Sequence, residues 1–343
     1  GVPNNGTYEM PVAFSGAGYG FNLIGNPYPS PVDAEMFLNA NPGTLYFWTH
    51  SNQTSTGGAN YATFNLSGAV AAAAGGEAPN GFIQTGQGFM LRTGASGMAT
   101  FTNEMRVGNN DGQFYRNANT EKHRIWLNLA SSTSELNQMM IGYVEGATEG
   151  VDPLYDGILN YTGSSISSKL AGGSYVIQGR SLPFADTDVV PLNFKAEAAG
   201  SYTLSVDHMD GLFLERQDVF LKDNLLGVTH NIKQVPYTFA SDAGSFGERF
   251  EVVFQNVTLG VENPTFDSNS VVIYKQDNVL QINSGAVEMS NVKVFDIRGR
   301  LIYEKDGINA NTTSLTDLQA EQQVLLVQIT SDNNKMVTRK VAY

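Results

Sequence analysis

Few residues in this sequence are equipped for chemistry, and their spacing limits what they can do. The four histidines, His50, His123, His208 and His230, never lie three to five positions apart, so no single face presents two imidazoles to a zinc ion. Cysteine is absent, which removes thiolate nucleophiles, disulfides and Cys-ligated metals together. No G-x-S-x-G turn presents a serine, although a triad drawn from distant segments stays open because its members need not be sequence neighbours. The glycines of GNPYPS and GQGF lack the spacing of a phosphate-cradling loop.

Carboxylate pairs are the constellation with the most chemical range. They are Asp152/Asp156 in VDPLYDG, Asp186/Asp188 in FADTD and Asp207/Asp210 in VDHMDG. Pairs on neighbouring loops could hold Ca²⁺, which takes six to eight oxygens, or act as the acid and base of a glycosidase. The plainer reading is turn formation, at which Asp-Gly and Asp-Pro excel. Consecutive Tyr46, Phe47 and Trp48, with Tyr28 and Tyr61, could stack on the rings of a surface glycan. Strand alternation argues instead that two of the three face a core.

Composition narrows the field. Apolar residues make up 41% and charged residues 15%, a balance that supports a packed, loop-rich fold rather than disorder. A formal charge of −13 argues against nucleic acid, whose partners neutralise phosphates with Lys and Arg. No apolar run reaches the length of a membrane-spanning helix. The chain starts at Gly1 and reads as part of a longer, processed protein.

The elements that must position these residues are strands. Period-two alternation between Gly/Asn/Asp/Ser punctuation recurs in GTLYFWTH, YATFNLSG, GQGFMLRTG, HRIWLNLA, SYTLSVDHMDGLFL, RFEVVFQNV and QVLLVQIT. The one helix candidate is PVDAEMFLNA, residues 31–40, with Asp33 as cap. Hairpin turns are expected around Asp223–Asn224, at Asp277–Asn278 and at Asp332–Asn334. Polar seams at 106–124 and 258–270 divide the chain into a β-rich domain over 1–116, a β-sandwich over 117–258 and a small domain over 262–343. Residues 261–343 hold 10 acidic and 8 basic side chains, so most of the negative charge lies upstream. The fold class expected is all-β: tandem β-sandwiches ending in a smaller, immunoglobulin-like one.

That last stretch carries ordered motifs: VVIYKQDNVLQI, VKVFDIRGRLIYE, NTTSLTDL, QVLLVQIT and MVTRKVAY. Together they resemble the type A C-terminal sorting domain of type IX secretion substrates from Bacteroidetes. In that family an aromatic-Asp-x-x-Gly-Arg hairpin precedes a leucine pair, a penultimate strand and a Lys-bearing last strand. Phe295, Asp296, Gly299 and Arg300 fall on the hairpin positions, Leu315 and Leu318 on the leucine pair, and Lys340 on the last strand. AEQQVLLV departs by lacking a Gly-x-Tyr before the penultimate strand. Lys293 and Lys305 match no family position and read as solvated edge charges. Upstream, GFNLIGNPYPSPVDAEMF, IQGRSLPF and DVVPLNF are similar to a stretch of large flavobacterial surface proteins.

The resemblance implies recognition by a type IX translocon and by an outer-membrane β-barrel shuttle of PorV type. A sorting peptidase would then cut within 258–270, where the chain is polar and accessible. The protein would be secreted or held at the outer-membrane cell surface after crossing the periplasm. The leading expectation is a non-enzymatic, adhesin- or stalk-like surface protein without a resident cofactor. One alternative is the spacer and address of an enzyme encoded upstream. The other is a carbohydrate- or Ca²⁺-binding module in 1–258.

Overall fold

A computed structural model describes residues 1–16, 20–49, 57–108, 121–256, 266–320 and 322–343. His50, the expected boundary at 116/117 and most of the expected cleavage segment 258–270 lie outside these residues. The protein is all-β: short strands follow one another throughout, and the described α-helices are Ala34–Ala40 and Leu212–Glu215. The chain gathers into two compact units. One comprises residues 1–129, 135–185 and 206–217; the other comprises 130–134, 186–205 and 218–343.

In the first unit a five-stranded antiparallel sheet runs Phe21–Gly25, Gly88–Thr93, Gly43–Trp48, Tyr61–Phe64, Ala69–Val70. Asp33 caps the helix as its sequence position predicts: its Oδ1 accepts from Met36 N at 2.9 Å. Phe37 is thereby buried against Phe89 and Phe101, with ring centroids at 5.6 and 4.6 Å. Alternation within GTLYFWTH predicts one inward and one outward face, and the structure differs. Tyr46 and Phe47 are both buried, and only Trp48 is exposed. Gly43–Trp48 has strands on either side and is covered on both faces, so neither face alternates to solvent. Tyr28 is likewise buried.

The same unit contains a parallel pairing, Met140–Tyr143 with Ile177–Arg180. Parallel neighbours need a long crossover. Here residues 145–172 supply it, and VDPLYDG lies within that crossover.

In the second unit, residues 266–343 have a core of their own. Their strands are β1 (Val272–Gln276), β2 (Val279–Asn283), β3 (Met289–Phe295), β4 (Leu301–Ala310), β5 (Thr312–Leu315), β6 (Val324–Ser331) and β7 (Met336–Ala342). They form a three-stranded sheet, β1-β2-β5, and a four-stranded sheet, β4-β3-β6-β7. Ile273, Leu280, Ile282 and Leu315 from the first meet Val292, Val294, Val327 and Ile329 from the second in one sandwich-like core. Asp277 and Asn278 both take positive φ, +49° and +66°, which a two-residue hairpin of right-handed twist requires.

The rest of the second unit packs Phe194 edge-to-face against Phe239 at 5.1 Å and Tyr202 at 5.2 Å, with Tyr202 and Phe239 stacked on each other. Inside it lies an ion pair, Arg249 Nη2 to Asp223 Oδ2 at 3.0 Å, with side chains 2% and 1% exposed. The surroundings satisfy both groups. Asp223 also accepts from Tyr237 Oη at 3.1 Å and from Leu225 N at 3.0 Å, while Arg249 Nη1 donates to Ala240 O at 3.1 Å. The guanidinium lies over Phe239 and Phe250 at 4.6 and 4.8 Å. Burial, then the neighbouring Asp223 charge, pushes the Tyr237 hydroxyl pKa up, so it stays a donor.

A buried pair costs most when only one partner is removed. Asp223→Ala should lower unfolding free energy by about 3–5 kcal/mol, and the paired change Asp223→Leu with Arg249→Met by much less. Chemical denaturation of the three proteins would measure this; equal losses for the single and double variants would contradict it.

Candidate functional site

The hairpin between β3 and β4 is built around one carboxylate. Val292, Val294 and Asp296 share the inward face of β3, and Asp296 is only 6% exposed at its end. Asp296 Oδ1 accepts from Arg298 N and Arg300 N, both at 3.0 Å. Its Oδ2 takes Arg300 Nε at 3.1 Å. Gly299 N donates to Asp296 O at 2.9 Å and Asp296 N to Arg300 O at 3.0 Å, closing the turn. Gly299 holds φ +79°, where a side chain would be strained. The Arg300 N–H does most to hold the Asp296 carboxyl below its usual range. Partial burial opposes that shift, and the Arg298 N–H and the Arg300 charge add to it.

Asp296 and Gly299 therefore shape the loop. Arg300 is left 79% exposed, anchored at its Nε, with the rest of its guanidinium presented outward.

Cross-strand register then brings distant residues together. Leu301 of β4 pairs with Phe295 of β3, Phe295 with Leu326 of β6, and Leu326 with Lys340 of β7. Paired residues share a face, and this row lies opposite the buried Val294 and Val327. Beside it stand exposed Ile297, Leu301 and Val324, at 69%, 45% and 38%. The face is thus an apolar strip that ends on Lys340, with Arg298 and Arg300 exposed at the neighbouring hairpin tip. The next row along the sheet is polar, with Lys293 Nζ bonded to Glu304 Oε1 at 3.1 Å.

Of the residues singled out by sequence, Phe295 and Lys340 share this face, while Arg300 stands at the hairpin tip, anchored on Asp296. Leu315 and Leu318 do not: they are 1% and 5% exposed and belong to the core. Leu326, Leu301 and Ile297 complete the strip although the motif did not mark them. For Leu326 the signal was parity, since in QVLLVQIT every second residue from Val324 faces out. Two further expectations change. Lys293 lies on β3, inside the sheet rather than at its edge. Lys305 is half-buried, donating to Thr313 Oγ1 and Ser314 O at 2.9 and 3.0 Å.

The three carboxylate pairs are engaged separately. Asp152 Oδ1 accepts from Leu154 N at 3.1 Å. Asp156 is 1% exposed and accepts from Asp152 N at 2.7 Å and Gly179 N at 2.9 Å. Burial raises its pKa to about 7, against the pull of those two N–H groups. Asp188 caps its own strand by accepting from Val189 N at 2.8 Å, and Asp186 is exposed in the same loop. Asp210 clasps Arg124, accepting from its Nη2 at 2.5 Å, while Asp207 pairs with His208 Nδ1 at 2.5 Å. Among the described residues no three His, Asp or Glu side chains gather as a metal ion would need.

Comparison with known proteins gives two matches. The model of a domain of unknown function, DUF8693, covers residues 1–254, and that of a second, DUF8694, covers 259–343. No curated protein matches the chain.

Asp156 offers a test by pH. Its folded pKa, about 7, exceeds the unfolded carboxylate value, so its stabilising contribution is complete at acid pH and is lost as pH rises through 7. The stability advantage of the wild type over Asp156→Asn should therefore shrink between about pH 4 and pH 7. Paired denaturation curves would read the gap, and a gap constant across that range would contradict the assignment.

Proposed function

For a chain that belongs to the DUF8693 family through residues 1–254, we propose a role as a surface-destined β-protein whose last domain is its export address. The address is the outer face of the β4-β3-β6-β7 sheet together with its hairpin tip. One observation carries this reading: Phe295 and Lys340, 45 positions apart in sequence, line up on one apolar strip, next to a hairpin tip that leaves Arg300 exposed.

The chemistry suits recognition rather than catalysis. An apolar strip supplies contact area, and fixed cations at its border select a partner with acidic groups and limit wrong docking. The partner we assign is the type IX translocon with its PorV-type β-barrel shuttle, and a sorting peptidase acts on the segment before the domain. The upstream residues are cargo of adhesin or stalk type. They cross the periplasm and end at the outer-membrane surface or in the medium. No enzymatic step is assigned to them.

Export separates folding from recognition. Arg300→Ala keeps Asp296 and its two backbone donors, so the variant should melt close to wild type yet accumulate in the periplasm, with surface protein falling about tenfold. Leu315→Ala should instead destabilise the domain by about 2–5 kcal/mol. Cell fractionation and melting curves read the two effects. Normal surface display of Arg300→Ala together with Lys340→Ala would overturn the proposal.

A further inference from the structure

The first unit holds a polar cleft that the address reading does not use. Its volume is about 450 Å³. One wall is the small-residue loop 71–76, and Asn128, Gln138, Asp207 and His208 project into it from strands Lys122–Ser131, Glu135–Val144 and Gly200–Met209.

These groups hold one another in place. Gln138 Nε2 donates to Asn128 Oδ1 at 3.0 Å and to Asp207 Oδ2 at 3.2 Å, while Gln138 Oε1 accepts from Ala71 N at 3.2 Å. Asp207 Oδ2 also meets His208 Nδ1 at 2.5 Å. The imidazole of His208 stacks on Trp126, with centroids 3.9 Å apart and planes at 19°. The indole is fixed in turn by its Nε1 donating to Ala69 O at 2.7 Å. A second cavity, of only about 20 Å³ and so no larger than a water needs, shares Asn137 and Gln138 with the first and is also lined by Tyr61 and Tyr161. Trp48 lies edge-on to Tyr61 at 5.1 Å and is 46% exposed.

The lining selects a ligand class. Glu135 and Asp207 supply negative charge and, among the described residues, neither cavity is lined by Lys or Arg, so phosphates, sulfates and uronates are disfavoured. The walls carry fixed amides and carboxylates rather than a deep apolar pocket, which disfavours lipid. Amide and carboxylate groups in fixed orientation suit a ligand rich in hydroxyls, each both donor and acceptor. Flat aromatic surfaces at the two stations, His208 over Trp126 and Trp48 beside Tyr61, suit the apolar faces of sugar rings. We infer that this cleft binds a neutral saccharide chain, laid between the two aromatic stations with its hydroxyls on Asn128, Gln138 and Asp207.

Affinity electrophoresis of the full chain through gels containing β-glucan, xylan, mannan or starch tests this, with polygalacturonate as the acidic counterpart. Retardation is expected on at least one neutral polysaccharide. Trp48→Ala and Asp207→Asn should each weaken it at least about tenfold, at unchanged melting temperature, and Arg300→Ala should leave it intact. No retardation on any neutral polysaccharide, equal retardation of the cleft variants, or a preference for polygalacturonate would overturn the inference. So would displacement by a peptide library but not by oligosaccharides.

Discussion

Everything proposed for the last domain depends on two sheets sharing one core. Because Val292, Val294, Val327 and Ile329 must face Ile273, Leu280 and Ile282, every intervening residue of β3 and β6 is committed to the opposite face. A slip of one residue would bury Lys293 and expose Val294. Register is therefore set by burial, and the outer face is its by-product. Leu301, Phe295, Leu326 and Lys340 line up because their inward neighbours do.

Asp296 connects this constraint to the hairpin tip. It closes the inward row of β3, and its carboxylate takes up the loop N–H groups that would otherwise lack partners. The same group that completes the core edge thus aims Arg300. That economy explains why Asp, Gly and Arg occur together in FDIRGR. The first two satisfy the turn, and the third is the one whose side chain the fold leaves outside.

Much of this was legible in the sequence. Alternation, the capped helix after Asp33 and the Asp277–Asn278 turn are local properties, and local physics is legible directly. What stayed hidden depends on non-local facts. Tyr46 and Phe47 are both buried because of what covers their strand, which no single window reports. Leu315 and Leu318 read as motif residues, yet their role is packing in a core whose other members run from Phe266 to Val337. Asp156 looked like a metal candidate or a turn, and only the fold reveals the two backbone donors that occupy it. The cleft residues Asn128, Gln138 and Asp207 come from separate strands, so their assembly left no mark in spacing.

The two surfaces suit different tasks. The tail face is apolar and rimmed by cations, whereas the cleft is polar with carboxylates and amides. On the proposed reading one would meet a protein and the other a hydroxylated ligand, as a cargo delivered by its own address would need. The most direct measurement is gain of function: residues 259–343 fused behind a periplasmic signal peptide and a neutral reporter, in a bacterium with a type IX system. The account predicts reporter at the cell surface or in the medium, lost when the system is deleted. A reporter that stays in the periplasm would contradict it.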